Sequence, residues 1–204
     1  MQLNINKCNV VSYCIRDSQD TSYYISDNGI NHKLEKTEST KDLGVTFDYR
    51  LTFRDHMHQK INKAYSMLGL IKRNFIHMSS STFLLLYTSL VRPHLDYASS
   101  VWCPHKTGDI ENVEKVQKRA TKLIIELKTL PYTERLKRLN LHTLKYRRLR
   151  GDMIEMFKII HNIYDIRATP AVEFNERSHT RGNKYKLLKK VLIMMFANTL
   201  SLLV

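Results

Sequence analysis

Residues Ile110–Ile124 read IENVEKVQKRATKLI, and they set two stripes on one predicted helix. Val113, Val116, Ala120, Leu123 and Leu127 recur at three- and four-residue steps, which gathers them on a single face that requires a core. Lys115, Lys118, Arg119 and Lys122 follow the same spacing on another face. Like charges so spaced repel by a few tenths of a kcal/mol per pair, so the stripe opposes the helix that carries it. Two readings stand: a solvated lysine-rich surface, or a surface that faces phosphates.

The surrounding sequence favours the second reading. Of 204 residues, 33 are Lys or Arg and 19 are Asp or Glu, a net charge of +14. Between Lys115 and Arg150 there are twelve Lys or Arg against only two acids, Glu126 and Glu134, so most of the excess lies in under a fifth of the chain. Concentrated positive charge points to polyanionic partners, nucleic acid foremost, and says nothing about fold.

Cysteine usage and the ends of the chain bound the setting. Cys8, Cys14 and Cys103 form no CxxC pair, which favours neither a disulfide framework nor a zinc site and points to a reducing compartment. The first residues lack the apolar run of a secretory signal, so the expected localisation is intracellular, nuclear or cytoplasmic. Val191–Val204, VLIMMFANTLSLLV, is apolar except for Asn198, Thr199 and Ser201. A span needs about 20 such residues, so no membrane partner is expected; a core helix, or a tail awaiting a partner, is the better reading.

Along the chain the texture changes once. Asn9–Ile15, Thr21–Ile25 and Leu43–Phe47 read as strands, the second followed by the hairpin signal Asp27-Asn28-Gly29. From Phe53 the period is helical: a long helix through Met57, Ala64, Leu68 and Ile71; a serine-capped helix interrupted at Pro93; the opening helix; a short one around Glu134–Leu139; and a long one from Thr143 to Tyr164. In the last, Leu149, Met153, Met156, Phe157 and Ile160 are the expected buried stripe, while Lys145, Arg147, Arg148 and Arg150 crowd the first turns against the helix dipole. The expected fold is α+β, mainly α, with an N-terminal β part over 1–50, a helical domain over 51–165, and a linker and apolar tail over 166–204.

No HExxH, Walker loop, GxSxG or Asp-Asp pair stands in the sequence. His56 and His58, two residues apart on a helix, point to different sides and make a poor metal pair, and Cys103-Pro-His105 is an isolated one. Three strings nevertheless carry a resemblance: LVRPHLDYASSVW (Leu90–Trp102), IENVEKVQKRATKLI, and YTERLKRLNLHTLKYRRLRGDM (Tyr132–Met153). In that order and spacing they resemble the region after the catalytic core in reverse transcriptases of LINE-type, non-LTR retrotransposons, the jockey-like branch above all. KDLGVTFDYRLTFRDHM (Lys41–Met57) resembles the strand and turn into the first thumb helix, and LNINKC (Leu3–Cys8) the segment after the active-site hairpin.

The resemblance implies the end of a polymerase palm followed by a helical thumb that grips template and primer, as part of an RNA-directed DNA polymerase. It implies a leaving-group lysine at Lys7. It also implies Mg²⁺ for the complete polymerase, held by paired aspartates that this chain lacks, so the chain alone is expected to be catalytically inactive and to need no cofactor of its own. Met1 stands where the family has tryptophan, and the apolar run after Lys190 departs from the family's aromatic-rich ending. The expected function is therefore a reverse-transcriptase fragment that contacts an RNA or DNA backbone without sequence preference, through Lys115, Lys118, Arg119, Lys122, Lys145, Arg147, Arg148 and Arg150. A domesticated helical protein-interaction module, with a protein partner for the tail, and a translated relic are the alternatives.

For single residues the plainer role comes first. Phe83, Tyr97 and Trp102 interleave with Leu and Val at helical spacing and are expected in the core rather than as base-stacking platforms. Arg92 is either a helix-end cation or a partner for Asp96.

Overall fold

The computed structural model describes residues 4–5, 8–13, 21–27, 29–165, 167, 169–170, 172–174 and 185. Short N-terminal strands are followed by a helical region, the α+β, mainly α order expected from the sequence. The chain forms two compact units, Met1–Asn62 and Lys63–Val204, so the division falls inside the first helix rather than near residue 50.

In the first unit the strands pair two by two. β1 (Asn9–Val10) lies parallel to β4 (Glu35–Lys36). β2 (Tyr24–Asp27) and β3 (Ile30–Lys33) are antiparallel with Asp27 opposite Ile30, and Gly29 takes φ +81°, as the hairpin signal there requires. β5 (Ser39–Asp42) pairs with β6 (Val45–Asp48). Leu43 and Gly44 both have positive φ, so the expected strand Leu43–Phe47 begins two residues late and its first two residues are the hairpin turn. The Asp48 carboxylate then accepts the backbone N–H groups of Arg50, Thr52 and Phe53 at 2.7–3.1 Å, bending the chain into α1 (Arg54–Asn74). His56, buried in the first turn of α1, accepts the Thr46 backbone N–H on Nδ1 at 3.1 Å. That engagement, with His58 exposed, separates the two histidines considered as a metal pair.

The second unit is helical. Ser79 caps α2 (Ser80–Leu86), accepting the Thr82 N–H, as the serine run predicts. Pro93 has no N–H and crowds the preceding turn, and the path widens into a π turn over Tyr87–Val91 before α3 (Arg92–Asp96). After Ala98, at φ +50°, come α4 (Ser99–Trp102), α5 (Thr107–Ala120), two 3₁₀ turns (Thr121–Leu123 and Ile125–Leu127), α6 (Tyr132–Arg138) and α7 (Leu144–Ile160). Phe83 stacks on Tyr87 with centroids 5.5 Å apart, and Trp102, Val113, Val116 and Ala120 are likewise fully buried. Phe83 and Trp102 are core as expected; Tyr97 is half exposed, and its carbonyl accepts the Trp102 indole N–H at 2.7 Å.

α7 departs from its predicted orientation. Of the stripe read as core, Leu149, Met153 (56 %) and Phe157 (54 %) are exposed while Met156 and Ile160 are half-buried, and the residues the helix buries are Leu144 and Arg148. Among the described residues no helix is long and apolar enough to cross a membrane.

Candidate nucleic-acid interface

α5 supplies the stripe from which the fold was read. Its apolar face is fully buried at Val113, Val116 and Ala120, which leaves Lys115, Lys118 and Arg119 on the open side. The helix stops at Ala120, short of the predicted Ile124, so Leu123 and Leu127 belong to the following 3₁₀ turns and Lys122 continues the basic line from the first of them. The stop coincides with a contact from a later helix. The Lys118 carbonyl accepts the Arg135 guanidinium at 3.0 Å and the Thr121 hydroxyl at 3.2 Å, occupying the acceptor that a further helical turn would use.

That early end changes the energetics of the stripe. Lys118, Arg119 and Lys122 sit at the C-terminal end of α5, where the dipole favours cations, so part of the repulsion along the row is offset. Lys115 accounts for itself through Asn112, to whose Oδ1 it donates at 3.0 Å. Lys118 lies over the Tyr132 ring at 5.6 Å and Arg119 over the Tyr65 ring at 5.1 Å, which leaves their charges facing outward beside aromatic surface. None of the four forms an ion pair with a described acid.

Sequence reasoning missed the buried polar seam that holds this surface in place. Glu114 and Gln117, between the apolar residues of α5, are buried. Gln117 accepts the Tyr87 hydroxyl at 2.6 Å and donates to the Tyr132 hydroxyl and the His142 carbonyl, each at 2.9 Å. The Tyr132 hydroxyl donates to Glu114, whose carboxylate also accepts the backbone N–H groups of Leu144 and Lys145 at 3.3 Å. Burial foremost, and then Glu114, push the Tyr132 phenol far above its ordinary range, so it stays a donor. The available signal was the spacing: Glu114 and Gln117, three apart, flank Val116 on the inward side of the wheel.

The same seam answers the predicted conflict at α7. Glu114 places a negative charge on the N-terminus that the basic residues oppose, and the Thr143 hydroxyl caps it by accepting the Tyr146 N–H at 3.1 Å. The four expected contact residues there do not act together. Lys145 and Arg150 are exposed, five residues and therefore about 140° apart around the helix. Arg147 is half-buried and held by Asp96, at 2.9 Å from Nη2 and 3.2 Å from Nε, with Arg92 3.6 Å from the same oxygen; Arg92 is thus Asp96's second partner.

Arg148 leaves the surface altogether: it is 4 % exposed, with Nη1 and Nη2 lacking hydrogen-bond partners among the described residues. It lies on the inward side of α7, where Cys103 and Asp152 are its neighbours. Burial pushes the Cys103 thiol up to about 11, and the Asp152 carboxyl up to about 6 although Arg148 pulls the other way. A guanidinium there cannot reach a phosphate. The surface set is accordingly Lys115, Lys118, Arg119 and Lys122, with Lys145 beside them at the Glu114 carboxylate and Arg150 on a separate face.

Lys7 lies outside the described residues. Cys8 and Cys103 are free thiols, and no three His, Cys, Asp or Glu side chains converge among the described residues. No family model, curated protein or solved structure matches this chain.

Proposed function

We propose that this chain is the palm-end and thumb portion of a LINE-type retrotransposon reverse transcriptase, and that it grips a nucleic-acid backbone without reading its sequence. The observation that carries the reading is the row of four exposed cations, without an ion pair among the described residues, along α5 and the turn after it, on a helix whose other side is core. The three sequence strings that resemble this family's thumb contain that row and the elements packed around it.

The α5 surface does one thing chemically. Long cationic side chains anchored on a rigid helix neutralise phosphates and release their counterions, which supplies affinity and register but no base discrimination. Polymerisation in such enzymes needs paired carboxylates to hold two Mg²⁺ ions, and the sequence contains no Asp-Asp pair. The proposed role is gripping alone.

Binding of the chain to a short duplex across a range of salt concentrations tests this. The four cations of the row with Lys145 predict a log–log slope of about −4.5 on B-form DNA, with little change when the sequence is scrambled. A flat salt response refutes the reading, and incorporation of nucleotides into a primed template refutes its inactive-fragment part.

A further inference from the structure

α1 carries a glycine that its own packing does not explain. Gly69 lies inside this 21-residue helix, five residues before its end, where glycine costs stability relative to alanine. It is not there to make room, because a Cβ at this position would meet nothing within 4 Å. No turn or cap requires it either: the residue is helical, and its φ is not among the positive ones. What the missing side chain leaves is open space on the outside of the helix.

The residues around that space suit a polyanion. One turn before Gly69 on the same face stand Tyr65 and Ser66, and one turn after it stand Lys72 and Arg73. Ser66, Lys72 and Arg73 are exposed, and neither cation forms an ion pair among the described residues. The helix dipole alone accounts for cations at the C-terminal end of α1, but it does not account for the glycine. The Arg119 guanidinium of α5 lies over the Tyr65 ring at 5.1 Å, so the basic row of α5 meets this notch at its near edge. From Tyr65 to Arg73 the helix rises about 12 Å, the length of three to four base-pair steps.

We propose that the nucleic-acid backbone held by the α5 row continues across α1, makes its closest approach to the protein main chain at Gly69, and meets Lys72 and Arg73 there, each at a phosphate. The inference rests on the α5 reading and extends it to a second helix. A helix surface without a side chain lets a sugar–phosphate chain come into contact with the main chain, while the cations one turn away reach the phosphates beside it. The Ser66 hydroxyl adds a donor on the opposite rim. None of these groups reads a base, so the notch adds affinity and register without sequence preference.

Substitution at Gly69 tests this cleanly, because a side chain there fills empty space and improves helix propensity. In the full chain Gly69→Leu is expected to unfold at or above the parent's midpoint and yet to bind a short duplex about tenfold more weakly in anisotropy titrations. Lys72→Ala with Arg73→Ala is expected to reduce the magnitude of the salt slope by about 1.8, two contacts at about 0.9 each. Parental affinity in Gly69→Leu overturns the proposal, and so does a parental slope in the double variant. Lys118→Ala, titrated beside them, reads the α5 surface separately: a loss at Lys118 with none at Gly69 removes this inference alone, whereas a flat salt response of the parent removes both.

Discussion

The Glu114 carboxylate on α5 accepts the backbone N–H of Lys145 at 3.3 Å, so one buried acid both ends a hydrogen-bond network inside the bundle and caps the start of α7. Two effects combine in it: charge-assisted hydrogen bonds to N–H groups that have no helical partner, and a negative charge at the positive end of the helix dipole. Replacing it removes both and leaves the Tyr132 hydroxyl without its acceptor. Glu114→Ala is expected to lower stability by about 2–3 kcal/mol in urea unfolding, with Glu114→Gln nearer about 1 kcal/mol. Glu111→Gln, at an exposed position on the same helix, should stay within about 0.5 kcal/mol of the parent. Equal effects at the two sites would contradict the capping role.

Among the eight residues expected to contact nucleic acid, burial now sorts participants from bystanders. Alanine at Lys115, Lys118 or Lys122 should reduce the magnitude of the salt slope by about 0.9 per residue and weaken binding to all duplex sequences alike. Arg147→Ala should leave that slope unchanged and cost stability instead, because it strips Asp96 of its two shortest contacts. Fluorescence anisotropy titrations at several salt concentrations, paired with denaturant melts, separate the two classes. A slope change for Arg147→Ala equal to that for Lys118→Ala would restore Arg147 to the interface.

Arg148 gives a sharper case. Among the described residues its buried Nη1 and Nη2 donors have no partners, and burial pulls its pKa down although Cys103 and nearby acids oppose the shift. A buried charge whose donors are unmet costs more than it returns, and an apolar side chain of similar length avoids the cost. Arg148→Met is expected to be neutral or stabilising by about 1 kcal/mol, with duplex affinity unchanged, as checked by thermal and urea unfolding. A loss of several kcal/mol would show that the guanidinium is satisfied in solution.

The periodicity of Val113, Val116 and Ala120 made the buried face of α5 legible, because spacing alone determines which residues share a side. Where α5 ends was not legible, since the group that takes the Lys118 carbonyl is Arg135, seventeen residues further on. The same limit explains α7. Period identifies Leu149, Met153 and Phe157 as one stripe but does not say what covers it, and the rotation of the helix is fixed from outside by Glu114 and Asp96. Arg148 was misplaced for that reason: in a run of four cations nothing local distinguishes the one that the neighbouring helices enclose.

His56 supplies a pH prediction in the first unit. Thr46 donates its backbone N–H to Nδ1, which requires that nitrogen to be unprotonated, and burial, then Lys60 and Lys41, lower the imidazole pKa from 6.5 to about 4. Between those two values the unfolded chain binds a proton that the folded chain refuses. Stability is therefore fully present above pH 6.5 and lost as pH falls toward 4, with a slope of up to about 1.4 kcal/mol per pH unit. Asp152 works in the opposite sense over the lower part of this window: its carboxyl is raised to about 6 by burial, so its contribution fades as pH rises from 4 to 6. His56→Asn, whose side-chain oxygen can still accept from Thr46, removes the first effect and leaves the second. The measurement is the unfolding midpoint of parent and variant from pH 4 to 7: the two should lie close near pH 7 and separate as pH falls toward 4, the parent dropping below the variant; parallel profiles would show that His56 is free to protonate in the folded chain.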